Sequence, residues 1–315
     1  MYSISELELF VRTAETANLS KAARELDLQP AAASAGLKRL EQRLASRLFE
    51  RSTRSMRLTQ QGEVFLEYCK SALHSLQAGE AALRSTHDQV RGLLRLSAPS
   101  DFGRCQLMAW LNEFQDMHPE VRLVVQFSDQ VMNLYREPID IAFRYGKLDD
   151  SALISQQLAA NHRVVVAAPS YLKKFGAPKK PQDLVDHNCL LYYVKHGLLN
   201  HWRFYSGRQS IEVKVRGDRM ADDGGIVREW AIAGYGVAYK SLLDVQSDLQ
   251  SGRLVSLLNE FTGEESPLHA IYPSRASMTP AAKALIEFLR KKLLADAKSP
   301  IKNEATVKKA STKQR

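Results

Sequence analysis

The chain has 315 residues, of which 44% are hydrophobic and 25% charged, a composition typical of a soluble globular protein of two or three domains. Its net charge of +9 at pH 7 makes nucleic acid or an acidic surface a candidate partner. Three widely spaced cysteines favour neither disulfides nor a metal site, and without a signal peptide or an apolar run of about 20 residues we expect a cytoplasmic protein that does not enter the membrane.

The positive charge is concentrated at the two ends of the chain. Residues 1–60 contain ten basic and seven acidic side chains, and residues 296–315 contain six and two, which leaves only +2 for the residues between them. The basic amino-terminal segment therefore favours nucleic acid as a partner. The lysine-rich tail has few large apolar residues, so we expect it to be disordered, with either nonspecific DNA attraction or simple solubilisation as its role.

Three helices are predicted within the first sixty residues. Ser5 and Glu8 form a candidate capping box before a first run of apolar residues at helical spacing. The sequence "ANLS" ends that helix, and Ser20 is the candidate cap of a short second helix. Pro30 then suits the first turn of a third helix, because its missing N–H costs nothing there.

The third helix has two different faces. One carries the apolar stripe Ala33, Leu37, Leu40 and Leu44, and the opposite face carries Ala31, Ala35, Lys38 and Gln42, flanked by Ser34 and Arg39. Small residues let a helix end approach base-pair edges, and the basic residues can meet phosphates. An amphipathic core helix with a solvated face is the alternative, but the order of short helix, tight turn and proline-led basic helix favours a helix-turn-helix.

Two short strands, 48–51 and 56–58, are predicted after this helix. They would form a hairpin with Arg51, Arg54 and Arg57 at or near its tip, as in the wing of a winged helix-turn-helix. Arginine in such a position can enter a narrow minor groove or hold the DNA backbone. An ordinary basic surface hairpin is the alternative.

The stretch "LSKAARELDLQPAAASAGLKRLEQRLASRLFERSTRSMRLTQQG" resembles the winged helix-turn-helix of LysR-type transcriptional regulators. The matching features are the paired alanines, the proline-alanine-serine entry to the third helix, Leu-Glu, Leu-Phe-x-Arg and Leu-Thr-x-x-Gly. Ala45 departs from the family, which usually has glycine there. The DNA-binding residues implied by the pattern and the resemblance are Ser20, Gln29, Pro30, Ala31, Ser34, Ala35, Lys38, Arg39, Arg51 and Arg54.

A long connecting helix is predicted from Gln60 towards His87, with Thr59 as its cap and a length of about 42 Å. Its apolar positions form a coiled-coil-like seam at alternating spacings of four and three, made of Phe65, Cys69, Ala72, Leu76, Gly79 and Leu83. Pairing of this seam with a second copy of the chain is favoured, as the resemblance also implies. Packing on its own chain is the alternative.

The remaining two thirds alternate between strands and helices, which predicts an α/β fold with parallel sheets. Segments such as "LRLSAPSDFGR" and "IDIAFRYGKLDDSALISQQL" resemble the effector-binding region of the same family, two lobes akin to periplasmic solute-binding proteins. The resemblance implies a DNA-binding domain over 1–60, a linker helix over 61–90 and an effector domain over 91–295. Its first lobe would contain 92–162 and 268–294, and its second 163–267.

A ligand in such a fold should bind between the lobes, at the carboxyl ends of strands. The candidate effector-binding residues are Ser97, Pro99, Ser100, Asp101, Arg144, His201 and Asp222. Arg144 could hold a carboxylate in a bidentate manner, and His201 and Trp202 are expected in an irregular segment. Structural alternatives are that Ser100 caps a helix starting after a glycine, that Arg144 pairs with an internal acid, and that Asp222 caps a helix.

The resulting hypothesis is a ligand-responsive transcription regulator that is not an enzyme and needs no metal or cofactor. Its expected partners are double-stranded DNA, a small-molecule effector such as a carboxylate or aromatic compound, further copies of itself as a dimer or tetramer, and RNA polymerase. An α/β enzyme is one alternative, but the sequence lacks GxSxG, GxxxxGK[ST], HExxH and CxxC, and "GYGVAY" (234–239) lacks the third glycine of a dinucleotide site. A solute-binding protein is the other.

Overall fold

The computed structural model describes residues 2–51, 56–84, 89–129, 139–146, 153–194, 197–272 and 278–296. Arg54, the end of the connecting helix near His87 and the tail after residue 296 lie outside this part of the chain. The chain folds into two compact units, one over residues 1–88 and one formed by most of the chain from residue 89 onward. No described helix combines the length and the apolar character that crossing a membrane requires.

The amino-terminal unit contains four helices and a two-stranded hairpin. Its elements in chain order are α1 (Ile4–Thr16), α2 (Leu19–Glu25), α3 (Pro30–Arg43), β1 (Phe49–Arg51), β2 (Met56–Leu58) and α4 (Gln60–Arg84). The three predicted helices, the hairpin strands and the start of the connecting helix are confirmed. The antiparallel hairpin pairs Phe49 with Leu58.

The caps of the first two helices differ from those predicted. The capping box is formed by Ser3 and Glu6 instead of Ser5 and Glu8, and Asn18 caps α2 instead of Ser20. Either serine has a hydroxyl that could cap, but the backbone turns helical two residues earlier than predicted at both α1 and α2. Only the folded backbone decides which side chain meets the first free N–H groups.

The core of this unit joins α1, α3, the hairpin and α4. The predicted stripe is confirmed at Ala33, Leu37 and Leu40, which are fully buried, whereas Leu44 is half-buried. Phe10 packs against the ring of Phe49 at a centroid distance of 5.4 Å. Full burial of a leucine or phenylalanine side chain stabilises a protein by about 1.5–3 kcal/mol. Because the buried residues of α3 form a single stripe, the helix is held against the core through one face only.

Ala45 ends α3 in the left-handed conformation expected from the family's glycine, with φ of 47°. The backbone N–H of Ala45 donates to the carbonyl of Gln42, and that of Ser46 donates to the carbonyl of Glu41. These two bonds form a Schellman motif, in which glycine is the preferred residue at the left-handed position. Alanine there costs roughly 1 kcal/mol.

The predicted seam of α4 is divided between two environments. Phe65 and Cys69 pack into the core of their own unit, which confirms the alternative of packing on the same chain for this part. Further along the helix, Ala72, Leu76 and Gly79 are exposed. The carboxyl-terminal half of the described seam is therefore not covered by residues of its own unit.

The first lobe of the second unit is built around a five-stranded sheet. Its elements are β3 (Gly92–Ala98), α5 (Ser100–Phe102), a π-helical turn (Gly103–Leu107), α6 (Met108–Met117), β4 (Val121–Phe127), β5 (Ile141–Tyr145), β6 (Ile154–Ala159), β16 (Leu268–Tyr272) and α10 (Pro280–Asp296). The strand order is β4-β3-β5-β16-β6. The expectation of a parallel sheet is wrong for β16, which runs antiparallel to both neighbours because the chain returns from the second lobe.

The second lobe contains a larger mixed sheet and a small antiparallel one. Its elements are β7 (Arg163–Ala167), α7 (Pro169–Phe175), a 3₁₀ helix (Pro181–Asp186), β8 (Cys189–Val194), β9 (Gly197–Leu199), β10 (His201–Ser206), β11 (Gln209–Lys214), β12 (Met220–Ala221), α8 (Gly224–Ile232), β13 (Val237–Ser241), α9 (Leu242–Ser251), β14 (Val255–Leu257) and β15 (Thr262–Gly263). The main sheet has the order β12-β8-β13-β7-β14, with β9 on β8, and the small sheet has the order β11-β10-β15. The antiparallel β7–β13 pair corrects the expectation of parallel strands here too.

The helix of the first lobe that faces the second begins at Ser100. Segments α5, the π-helical turn and α6 form one continuous helix over residues 100–117, since the junction residues have helical backbone angles. A side chain at Gly103 would place its Cβ 2.4 Å from the ring of Phe127, so only glycine fits. The helix start therefore lies directly after β3, at the carboxyl end of the strand.

Candidate functional site

The amino-terminal unit presents one polar face of α3 to solvent. Eight of the predicted DNA-binding residues have described side chains, and all eight are exposed. They are Ser20, Gln29, Pro30, Ala31, Ser34, Ala35, Lys38 and Arg39. Five of them lie on α3 opposite its buried stripe, and Gln29 and Pro30 are at its start. Gln29, the residue before α3, makes no side-chain cap bond, and the start of a helix is a position that favours phosphate.

Arg39 differs from Lys38 in its surroundings. The Nε atom of Arg39 lies 3.1 Å from one carboxylate oxygen of Glu6, and a guanidinium nitrogen of Arg43 lies 2.9 Å from the other. Burial raises the pKa of Glu6, but the hydrogen bond from Arg39 and the charge of Arg43 outweigh it and leave the pKa below its ordinary value. Arg39 therefore ties α3 to α1. Of the predicted wing arginines, Arg57 is exposed on β2, Arg51 is described by its backbone alone, and Arg54 lies outside the described residues.

The second unit contains a cleft of about 310 Å³ between its lobes. Its walls combine apolar, aromatic and charged side chains: Pro99, Asp101, Ser128, Asp129, Arg144, Tyr145, Arg163, Leu190, Tyr192, Val194, Leu199, His201, Trp202, Gly224, Val227, Tyr239, Lys240, Ser241, Asp244, Glu264 and Ser266. A cavity of this size and mixed lining is suited to a small organic molecule.

Most first-lobe candidates lie around this cleft. Pro99, Asp101 and Arg144 line it, and Ser97 is fully buried behind them, where its hydroxyl accepts a hydrogen bond of 2.8 Å from the guanidinium of Arg144. A second Arg144 nitrogen donates to the carbonyl of Phe143. Ser100 does not cap a helix that starts after Gly103, because it is itself the first helical residue.

The second-lobe candidates are placed differently from one another. His201 lines the cleft and lies in strand β10 next to Trp202, so the expectation of an irregular segment is wrong; its ring also contacts Glu212 at 2.9 Å. Asp222 is exposed and is not among the lining residues. Its neighbour Asp223 caps α8 by accepting the N–H groups of Gly225 and Ile226.

A buried charged network joins the lobes across the cleft. Lys240, at the end of β13, lies 2.6 Å from Asp101 of the first lobe and donates to the carbonyl of Gly224. Asp244, in the first turn of α9, accepts a hydrogen bond of 2.6 Å from the hydroxyl of Tyr145 of the first lobe and lies 3.9 Å from Lys240. The Lys240–Asp101 and Tyr145–Asp244 contacts each connect an element of one lobe with an element of the other.

The network shifts the pKa values of its members. Burial and the nearby carboxylate of Asp101 raise the pKa of Asp244 to about 7. Burial lowers the pKa of Lys240, but Asp101 and Asp244 outweigh it and leave it above its ordinary value. Burial, together with Asp244, also raises the pKa of Tyr145. Near neutral pH the network thus holds one lysine cation and two carboxyl groups, of which Asp244 is partly protonated.

Comparison with known proteins identifies both units. Residues 4–63 match the lysR family of bacterial regulatory helix-turn-helix proteins, and residues 87–294 match the LysR substrate binding domain. The chain belongs to the LysR family of transcriptional regulators. It is thus a DNA-binding transcription regulator with a substrate-binding domain, and the alternative of an enzyme is wrong.

The curated relatives of this LysR regulator carry the same description. The HTH-type transcriptional regulator CrgA of Neisseria meningitidis serogroup C is 31% identical over 91% of this chain and 96% of that protein. The regulator DmlR of Escherichia coli is 30% identical over 91% and 93% of the two chains. A structure of CrgA from Neisseria meningitidis has a TM-score of 0.60 at 30% identity and covers 92% of this chain and 98% of that one. The virulence activator AphB of Vibrio cholerae, at 24% identity and a TM-score of 0.60, shares the fold.

Several residues of the cleft in this LysR regulator were not predicted from its sequence. Asp129, Arg163, Lys240 and Asp244 line the cleft. The rule that ligands bind at the carboxyl ends of strands could have found Asp129, which follows β4, and Lys240, which lies near the end of β13. Among the described residues, no group of three or more His, Cys, Asp or Glu side chains is arranged to hold a metal ion.

Proposed function

We propose that this LysR regulator binds a partly palindromic DNA site as a dimer or tetramer and that a small molecule in the cleft of its second unit alters this binding. The proposed division of the chain is a winged helix-turn-helix over 1–60, a linker helix over 61–90 and an effector domain over 91–295. RNA polymerase is a proposed further partner. A chromosome-binding role places the protein in the cytoplasm, where bacterial DNA lies.

The exposed face of α3 carries the proposal for DNA recognition. Its small residues Ala31, Ser34 and Ala35 allow the helix to approach base edges, and Lys38 follows one turn later on the same exposed face. Among the described residues Lys38 has no ion-pair partner within 4 Å, whereas Arg39 is tied to Glu6. We therefore assign phosphate contact first to Lys38, with Arg51 and Arg54 of the hairpin as further contacts.

The exposed half of the α4 seam supports self-association. Leu76 is 47% exposed and lies with Ala72 and Gly79 on a helix of 25 residues. Pairing with the same helix of a second subunit would cover this surface. A dimer also doubles the phosphate contacts and sets the spacing of two half-sites.

A change of Lys38 to alanine tests the DNA interface. A binding site is first enriched from a random-sequence duplex library with the full-length protein, and its affinity is then measured by fluorescence polarisation over a range of salt concentrations. We expect weaker binding and a salt slope reduced by roughly 1 for each subunit whose lysine contacts a phosphate. The control is Lys283→Ala, which removes an exposed lysine of α10. Equal slopes for the wild type and the Lys38 variant would reject the assignment.

The cleft is proposed to take the effector, with a carboxylate or an aromatic compound as the expected class. Arg144 and Arg163 line it together with the rings of Tyr192, Trp202 and Tyr239. A panel of small carboxylic acids and aromatic compounds is screened for a rise in the melting temperature of the full-length protein, because a ligand that binds only the folded state stabilises it. If the cleft is the binding site, a compound that raises the melting temperature of the wild type should no longer do so in the variant Arg163→Gln.

A further inference from the structure

The carboxylate of Asp129 accepts backbone N–H groups from both lobes of the second unit. The N–H of Ser100 donates to Oδ1 of Asp129 at 2.7 Å, and the N–H of Gly224 donates to Oδ2 of the same side chain at 2.7 Å. The hydroxyl of Ser100 also lies 2.5 Å from Oδ2. Asp129 follows β4 in the first lobe, whereas Gly224 begins α8 in the second lobe, so one carboxylate joins both.

Both donors stand at the starts of helices that are long enough to carry a useful dipole. Ser100 begins the continuous helix over 100–117, and Gly224 begins the nine-residue helix α8. Two helix N-termini from different lobes therefore point at a single anion. The partial positive charges and the free N–H groups of helix starts are the features that hold phosphate and carboxylate ligands in proteins.

Local capping does not account for Asp129. Helix α8 already has its own cap in Asp223, which accepts the N–H groups of Gly225 and Ile226. Asp129 instead takes the remaining N–H of Gly224 from across the cleft. Asp223 in turn contacts the hydroxyl of Ser100 at 3.0 Å and pairs with Arg104 at 2.8 Å. The single proton of the Ser100 hydroxyl can serve only one of the two carboxylates at a time.

We propose that Asp129 is a built-in ligand of the cleft, which fastens the two lobes together while no small molecule is bound. An external carboxylate can use the N–H groups of Ser100 and Gly224 only after it displaces Asp129. In this exchange one carboxylate replaces another on the same two N–H donors. Whether an external ligand displaces Asp129 therefore depends on the contacts that the rest of the ligand makes. An effect of Asp129 displacement on DNA binding rests on the function proposed above. The placement of the Asp129 carboxylate on the N–H groups of Ser100 and Gly224 does not.

Removal of the side chain with Asp129→Ala tests the proposal with acetate as the probe. The variant leaves the N–H groups of Ser100 and Gly224 without the Asp129 carboxylate, and we expect its melting temperature to fall below that of the wild type. Sodium acetate, compared with sodium chloride at equal ionic strength, should then raise the melting temperature of the full-length variant by about 3 °C. The wild type should not respond, because its own carboxylate fills the position.

Asp183→Ala is the matched control. Asp183 also accepts two backbone N–H groups, those of Lys179 and Lys180 at 2.9 and 3.2 Å, but it lies on a short 3₁₀ helix of a single lobe. Acetate should leave this variant unchanged relative to the wild type. Asp129→Ser vacates the same position with a small polar side chain and serves if the alanine variant fails to fold. Asp129→Asn keeps the volume, so acetate should not stabilise it.

The proposal is overturned if acetate stabilises the wild type as much as the vacated variants, or if neither vacated variant responds to acetate. The affinity of the same preparations for the enriched DNA site is measured in parallel. Acetate uptake by Asp129→Ala without any change in DNA affinity would support the built-in ligand and contradict the proposed coupling of the cleft to DNA. The two ideas therefore fail separately.

Discussion

Replacement of Asp244 by asparagine tests the buried network that joins the lobes. The side chain is 6% exposed, accepts the hydroxyl proton of Tyr145 and lies 3.9 Å from Lys240. Asparagine keeps the size and an oxygen that Tyr145 can donate to, but it removes the ionisable proton. Burial and the charge of Asp101 raise the pKa of Asp244 from 3.8 to about 7, so the folded protein binds a proton there that the unfolded chain releases at neutral pH.

The sign and size of the effect follow from this shift. An acid whose pKa is raised by folding contributes stability that is complete below its unfolded value of 3.8 and is lost as the pH rises through about 7. At about 1.4 kcal/mol per pH unit, the loss between pH 5 and pH 7 is at most about 3 kcal/mol. The asparagine variant has no such proton. Its free energy of unfolding should therefore rise relative to the wild type as the pH increases, by an amount that corresponds to about 5–10 °C in melting temperature.

The assay is calorimetry of the full-length wild type and Asp244→Asn at steps between pH 5 and pH 8, with the transition of the second unit followed. Asp222→Asn is the control, because it removes an exposed carboxylate of the same lobe. The difference between wild type and control should be independent of pH. Melting temperatures of wild type and Asp244→Asn that change in parallel over this range would refute the reasoning, since the carboxyl group would then be ionised throughout.

Two further predictions concern the amino-terminal unit. Ala45→Gly should raise its melting temperature by about 4–8 °C, or about 1 kcal/mol, because glycine removes the strain of φ 47° at the end of α3; a lower melting temperature by circular dichroism would contradict this. Glu6→Gln should cost about 1 kcal/mol at pH 7, since it removes the charge that holds Arg39 and Arg43. The pKa of Glu6 is lowered by folding, so its contribution is present above pH 4.5 and is lost as the pH falls through the folded value. The wild type and variant should converge in urea unfolding at acid pH, and a difference that persists there would show a purely steric effect.

The local pattern of the sequence was sufficient to predict the helices of the amino-terminal unit and the exposed face of α3. The stripe of Ala33, Leu37 and Leu40 at helical spacing defines which face of α3 is buried, and Pro30 defines where the helix begins. Burial of one face leaves the small and basic residues on the other, so the exposed surface followed directly. The positions of the caps did not follow, because several serines and an asparagine compete for the same N–H groups and only the backbone path chooses between them.

The sequence of the second unit determined its strands but not the arrangement of its cleft. The alternation of strands and helices predicted the α/β class, and the rule for strand ends placed Asp101 and Arg144 near the ligand position. The direction of β16 was decided by the return of the chain from the other lobe. No local pattern contains that information.

The charged contacts across the cleft were decided by tertiary structure alone. Lys240 meets Asp101 across 139 positions of sequence, and Asp129 meets Gly224 across 95. Burial and proximity set the ionisation of such groups, and both arise only when distant segments come together. The sequence by itself thus determined a LysR-type regulator with a basic recognition helix and a two-lobed α/β domain. The folded chain decided which carboxylate occupies the cleft, because that depends on where two lobes place their helix starts.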